Sequence, residues 1–193
     1  AEPQFNPDIE EDLRFGKGRA YGLELMIRKP EGRLSGWISY SYSRSEKKIN
    51  DIQEKGWFPS PYDRPHDISV VAMYDVSERI NLSANWTYKT GRPLNAPAAR
   101  YEYGNLILPY YPGRNQDRMP DYHRLDLSVT IEGEEKPSKK FNGEWVFSIY
   151  NAYARKNADA LFFEQENFDS YETQATKVSY FTIFPSVSYK FNF

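Results

Sequence analysis

Two histidines, His66 and His123, are the only imidazoles in this 193-residue chain. Imidazole is the commonest general base and metal ligand near neutral pH, so acid–base or metal chemistry would start with them. A zinc site needs three or four convergent ligands. There is no cysteine, convergence of ligands is a property of the fold that sequence does not show, and for the two histidines, in Asp63-Arg-Pro-His-Asp67 and Tyr122-His-Arg-Leu-Asp126, structural roles are favoured. Each instead marks a junction where a polar stretch enters an alternating one, with Pro65 acceptable at a strand start. No Ser/His/Asp spacing, paired catalytic carboxylates or glycine-rich phosphate loop occurs. No catalytic residue, metal ligand or cofactor is therefore assigned, and enzymatic activity is not expected.

The chain's stronger chemical resource is its aromatic content, 17% of residues with 16 Tyr and 12 Phe. Trp57, Phe58, Tyr62, Tyr101, Tyr103, Tyr110 and Tyr111 stand among prolines and glycines in the two longest polar stretches. Aromatic clusters on loops present large amphipathic surfaces for recognition, so these seven are the candidate ligand-recognition residues. A second group, Glu24, Arg28, Asp67, Asn85, Lys89, Arg124 and Asp126, falls on the polar side of alternating segments. Arg124 and Asp126 share a face two residues apart, close enough for a local ion pair.

The elements that must position these residues are strands. Alternation of apolar and polar residues, the period of a strand with one apolar face, runs near 18–29, 34–44, 66–76, 79–90, 122–132, 144–163 and 180–193. The 144–163 segment is read as one long strand with a bulge over 151–157. Residues 1–17 are read as a loop or an N-terminal remnant. The clearest apolar row is Ile80, Leu82, Ala84, Trp86 and Tyr88, and Trp37 is an exception on a polar face. No helical period appears, which favours an all-β antiparallel meander. Connectors alternate between short (30–33, 77–78), medium (132–143) and long (45–65, 91–121, 164–178). Up-and-down membrane barrels have short turns at one end and long loops at the other, whereas a soluble sandwich has no reason to do so.

Composition agrees with short half-polar strands. Mean hydropathy is −0.78, and a net charge of −2 gives no electrostatic footprint for nucleic acid. No apolar run approaches ~18 residues, so no transmembrane helix is expected. Ala1 opens no signal peptide, which reads the chain as mature protein or a fragment. From Ile183 to Phe193 is eleven residues, against the roughly 9–11 that carry a tilted strand across a bilayer. Tyr40, Tyr42, Trp86, Tyr88, Trp145 and Tyr189 read as an interfacial aromatic girdle. Seven strands, an odd number, cannot close as a standard bacterial barrel, so a larger barrel is expected.

The stretches Gly16-Lys-Gly-Arg-Ala-Tyr-Gly-Leu-Glu24, Tyr62-Asp-Arg-Pro-His-Asp67, Tyr122-His-Arg-Leu-Asp-Leu-Ser128, Tyr150-Asn-Ala-Tyr-Ala-Arg-Lys-Asn157 and the closing Phe-Pro-Ser-Val-Ser-Tyr-Lys-Phe-Asn-Phe193 together resemble, in order, the C-terminal barrel portion of TonB-dependent outer-membrane receptors. The resemblance implies the last seven strands of a plugged transmembrane barrel of about 22 strands. It implies nutrient uptake in the bacterial outer membrane, with long loops extracellular and the C-terminus periplasmic. Implied partners are the rest of the barrel and its plug, the TonB complex acting through that plug, the barrel-assembly machinery, outer-membrane lipids and a surface lipoprotein. Tyr189, Phe191 and Phe193 resemble the C-terminal assembly signal, and the face bearing Glu24 and Arg124 would line the lumen. The chain lacks a TonB box, a plug and the first two-thirds of such a barrel. The rival readings are a complete small barrel acting as adhesin or anchor, a barrel-borne enzyme, and a soluble lectin-like sandwich.

Overall fold

A computed structural model describes residues 14–50, 56–133, 142–165, 167 and 170–192. These residues contain no helix and fourteen strands. In chain order they are β1 (Gly16–Lys29), β2 (Leu34–Ile49), β3 (Phe58–Pro59), β4 (His66–Ser77), β5 (Ile80–Lys89), β6 (Pro93–Leu94) and β7 (Ala99–Tyr103), then β8 (Leu106–Tyr110), β9 (Asp117–Arg118), β10 (Tyr122–Glu132), β11 (Asn142–Tyr150), β12 (Ala160–Gln165), β13 (Thr173–Val178) and β14 (Phe184–Asn192). β1, β2, β4, β5, β10, β11 and β14 lie side by side in chain order, with every pairing antiparallel. β3 adds a short pairing to the far end of β2. Three two-stranded pieces, β6–β9, β7–β8 and β12–β13, are built from the long connectors. The protein is an all-β antiparallel meander.

Register decides which side chains share a surface, because successive residues on a strand point to opposite faces. One row runs Leu34, Tyr74, Leu82, Val129, Phe147, Val187 across neighbouring strands. The adjacent row on the other face runs Ser35, Met73, Ser83, Ser128, Ser148, Ser186. No register slip mixes the two faces; the one irregularity, between Asp75 and Ser77, lies at the turn end. Trp37 pairs with Arg28 and Val71 and so stands on the polar face with Met73.

The apolar face carries no Asp, Glu, Lys or Arg along β4, β5, β10, β11 and β14. On β1 and β2 its charges are Lys17, Arg19, Lys29, Arg44, Glu46 and Lys48, all towards the strand ends. Aromatics collect at two levels. Tyr40, Tyr42 and Tyr88 stand towards the long connectors, Trp86 one row below Tyr88, and Tyr74, Trp145, Tyr189 and Phe191 towards the short turns. Trp145 packs on Tyr189 with ring centroids 4.7 Å apart. Gly143 makes that packing feasible, since a Cβ there would overlap the Tyr189 ring.

Among the described residues no layer lies against this face. Ile27, Leu25, Val187 and Phe191 are exposed, Ile27 to 74%. Among the described residues the buried hydrophobic side chains are Phe58 and Met119, and both sit in long connectors. Burial thus lies at the connector end and not under the sheet.

The structure corrects several expected boundaries. The segment 144–163 is not one bulged strand. β11 stops at Tyr150, Asn151 takes a φ of 54° and Ala154 the same, and β12 pairs with β13 in a separate hairpin. Period-2 alternation marks a strand but does not say which sheet receives it. The closing strand begins at Phe184, not at 180, and Phe181 and Ile183 precede it without joining the sheet. β2 runs to Ile49, beyond the expected 44, because Glu46 and Lys47 pair with Pro59 and Phe58. Gly16 and Lys17, expected in a loop, belong to β1, while residues 1–13 lie outside the described residues. The stretch 91–121 folds a hairpin, β7–β8, over Gly104-Asn105, both at positive φ, the signature of a tight type I′ turn.

Candidate functional site

The polar face carries ionisable side chains from most strands, and contacts across and along the strands pair many of them. Lys89 lies 3.0 Å from Asp67 and Arg124 2.8 Å from Asp126. Lys190 lies 2.6 Å from Glu144. Asn81 donates to Asp75 at 2.7 Å, and the Ser148 and Ser186 hydroxyls are 2.7 Å apart. Glu24 faces Ser41, Arg28 faces Trp37, and Asn85 stands between Val71 and Asp126. Register therefore brings Glu24, Arg28, Asp67, Asn85, Lys89, Arg124 and Asp126 to one face. Arg124 is the most engaged, donating to Tyr122 Oη at 3.0 Å and Tyr150 Oη at 2.8 Å with the Tyr150 ring beneath it.

Above this face the long connectors are held by buried polar side chains. Asp63, 1% exposed, accepts from the Ser45 N–H at 2.7 Å and from Arg44 Nε at 3.3 Å, and pairs with Arg118. Arg118 also donates to the Asp63 and Gly91 carbonyls at 2.9 and 3.0 Å. One carboxylate and one guanidinium thus join the β2–β4 connector to the β5–β10 connector. Gly91 has no room for a side chain, since a Cβ there would overlap the Met119 carbonyl.

Asp121 accepts from Tyr88 Oη at 2.6 Å and from the Gly91 N–H at 2.9 Å. Burial pushes its carboxyl upward. The Tyr88 and Gly91 hydrogen bonds, with Arg155 and Arg118 nearby, outweigh that and hold it below the usual carboxylate range. Asn157 exchanges two bonds with the His123 backbone, donating at 2.9 Å and accepting at 3.2 Å. Its amide stands in for the strand neighbour that β10 lacks there. Asn151, 1% exposed, gives its N–H to Asp126 at 2.9 Å and its side-chain amide to the Arg155 and Thr182 carbonyls. The irregular stretch after β11 is therefore a hydrogen-bonded hub.

Each histidine has a tyrosine. Tyr40 Oη lies 2.9 Å from His66 Nδ1, and Tyr153 Oη 2.7 Å from His123 Nδ1. Both pairs stand on the apolar face at its connector end. No group of three or more His, Cys, Asp or Glu able to hold a metal occurs among the described residues.

The loop aromatics divide. Phe58 is 4% exposed, so its candidacy as a ligand-recognition residue is corrected: it is a packing residue of the connector core. Trp57 is covered on one side by the Arg19 guanidinium, 4.3 Å from its ring. Tyr62 is 86% exposed. Tyr101, Tyr103 and Tyr110 share one face of the β7–β8 hairpin with Leu106 and Leu108, and Tyr103 is 73% exposed. The hairpin's other face carries Arg100, which donates to Thr173 Oγ1 and Gln165 Oε1 at 3.0 Å each. Tyr111 is exposed just beyond the hairpin. Of the assembly-signal residues, Tyr189 and Phe191 are on the apolar face of β14, and Phe193 lies outside the described residues.

Sequence reading missed the cleft between these two layers. A cavity of about 550 Å³ on the polar side is lined by Arg64, Thr87, Lys89, Arg92, Tyr122 and Arg124. A neighbouring one of about 730 Å³ shares Arg64 and Arg92 and continues over Tyr62, Leu94, Leu161 and Phe162. The signal available in sequence was the arginine beside each loop–strand junction, Arg64 before Pro65 and Arg92 before Pro93.

No protein-family model matches the chain, and no solved structure matches it. Among curated proteins the chain is similar to NAC domain-containing protein 30 of Arabidopsis thaliana, 25% identical over 69% of this chain and 47% of that protein. The chain spans about half the length of that relative. An identity this low assigns the chain to no family.

Proposed function

We propose that the chain is part of the wall of a transmembrane β-barrel in the bacterial outer membrane, and that this barrel is a TonB-coupled receptor importing a nutrient. The observation carrying the barrel reading is the apolar face, uncharged along β4, β5, β10, β11 and β14 and charged only towards the ends of β1 and β2, which continues across the strands and is flanked by aromatics. In water such a face needs a covering layer; in a bilayer the lipid is that layer, while the paired backbone satisfies its own polar groups. Eight residue steps separate His123 from Ile131, about 26 Å of strand at ~3.3 Å each. At a tilt of about 40° this covers about 20 Å, near the apolar band of about 25 Å of outer-membrane barrels. Long connectors at one end and short turns at the other support the same reading. The narrower reading, TonB-coupled uptake, is supported by the ordered motif resemblance. It brings with it a plug, the TonB complex, the barrel-assembly machinery and a surface lipoprotein as partners.

The test is fractionation followed by uptake. The full-length protein is expected in the outer membrane, heat-modifiable on gels, and its uptake activity should collapse with a protonophore. A chain that folds as a monomer in water without detergent overturns the barrel reading. An outer-membrane barrel with no energy-dependent uptake overturns the receptor reading and leaves an anchor or adhesin.

A further inference from the structure

We infer that the cleft between Arg64 and Arg92 is a binding site for an anionic solute, one with a carboxylate or phosphate head joined to a ring or short apolar body. The inference rests on the reading that the polar face lines a lumen, and it names the class of solute that face would take.

Four cations line the polar half of the cleft, Arg64, Lys89, Arg92 and Arg124, against one carboxylate, Asp159, which accepts from the Tyr180 N–H at 3.2 Å. Two are neutralised, Lys89 by Asp67 and Arg124 by Asp126. Arg92 touches no carboxylate, donating to Met119 Sδ at 3.1 Å and to the Asp159 carbonyl at 3.3 Å. The Arg64 guanidinium makes no hydrogen bond or ion pair with any described residue. Elsewhere at the connector end arginines are tied down, as Arg44 and Arg118 are on Asp63 and Arg155 on Asp121 and Asn157. Two guanidinium groups paired with no carboxylate among the described residues, in a cavity where cations outnumber carboxylates, are a ready receptor for an oxyanion, which the planar fork binds with two parallel hydrogen bonds.

The remaining wall sets the rest of the ligand. Beyond Arg64 and Arg92 the cleft is lined by Tyr62, Leu94, Leu161 and Phe162. That surface suits a ring or short apolar body next to the anionic head, the usual pairing of apolar walls with a few polar anchors. A membrane lipid is the wrong source for this anion. Thr87, Lys89 and Arg124 belong to the polar face, while Trp86, Tyr88 and Leu125 point to the opposite one, so a lipid on the apolar side would have the sheet between itself and the arginines.

Phenyl phosphate is the probe, with inorganic phosphate, benzyl alcohol and benzylamine for comparison, added to the purified full-length protein in detergent and followed by equilibrium dialysis. Phenyl phosphate should bind more tightly than any of the other three. Arg64→Gln removes no hydrogen bond or ion pair with a described residue and should weaken that binding about tenfold, the value of one charge-assisted hydrogen-bonded anchor. Heat-modifiability should remain unchanged. Equal binding by the Arg64→Gln/Arg92→Gln pair and the parent, or binding of benzylamine as tight as that of phenyl phosphate, overturns the site. If the protein fractionates to the outer membrane yet does not bind phenyl phosphate, the site falls and the barrel reading stands. Arginine-dependent binding by a protein that stays out of the membrane leaves the site standing and overturns the barrel.

Discussion

Asp63 shows how one residue can organise a connector, and it tests whether polar burial is what holds the loop end. Its carboxylate is enclosed, but Arg44 and Arg118 each retain 29% side-chain exposure. Breaking a fully buried pair costs about 3–5 kcal/mol; with both partners able to recover water, Asp63→Asn should cost about 2–3 kcal/mol. Urea titration in detergent, with proteolysis of the 56–65 connector as a local readout, checks this; unchanged protease resistance would refute it. Asp121 gives the pH dependence. Its folded carboxyl is held below the usual range, so its contribution is present above the ordinary carboxylate value and is lost as pH falls through the depressed one. Protection of the Gly91 amide, relative to its intrinsic exchange rate at the same pH, should therefore fall on strong acidification, and Asp121→Asn should remove that acid-dependent step. Neither aspartate stood out in the sequence, because an aspartate in a proline-containing connector is an ordinary turn residue. Its partners, Arg118 for Asp63 and Tyr88 for Asp121, come from other parts of the chain. The candidates that were legible, Asp67, Lys89, Arg124 and Asp126, are those that strand parity alone could place.

At the scale of the strand, the same parity predicts unequal costs for neighbouring residues. Leu127 is at the middle of the apolar face of β10, opposite Ala84 and Ile149; Ser128 lies on the other face between Ser83 and Ser148. If lipid covers the first face, Leu127→Arg should cost about 2–4 kcal/mol of folding stability in a bilayer. Ser128→Arg should cost well under half of that, since its side chain meets polar neighbours and water. Equal effects would mean that neither face meets lipid. Strand existence was readable because alternation is a local property, and β4, β5 and β10 lie close to their expected spans. The 144–163 segment was misread for a physical reason. Leu161 and Phe163 alternate as well in a detached hairpin as in the main sheet, and the residue that turns the chain away, Asn151, acts through contacts with Asp126 and Thr182. Hairpin β7–β8 went unread because Tyr, Pro and Gly dominate its surroundings and leave little apolar–polar contrast.

For the molecule as a whole, the decisive property is its polarity along the strand direction. The β2–β4, β5–β10 and β11–β14 connectors gather at one end with the buried side chains, while the Pro30–Arg33 and Glu78–Arg79 turns lie at the other. That much was legible in connector lengths. What covers the apolar face was not, because a sequence records the face and not the solvent that meets it. The proposed topology separates the two ends by a membrane, and the absence of native cysteine makes the separation easy to test. Tyr103→Cys places a thiol at the tip of the β7–β8 hairpin, where the parent side chain is 73% exposed, and Glu78→Cys places one in the β4–β5 turn. An impermeant maleimide applied to intact cells should label the first and spare the second until the outer membrane is permeabilised. Labelling of both on intact cells would remove the barrier that the reading requires, and labelling of Glu78→Cys alone would invert the chain. The prediction depends on the whole meander, because any strand added to or lost from the span between β5 and β7 would move residue 103 to the side occupied by residue 78.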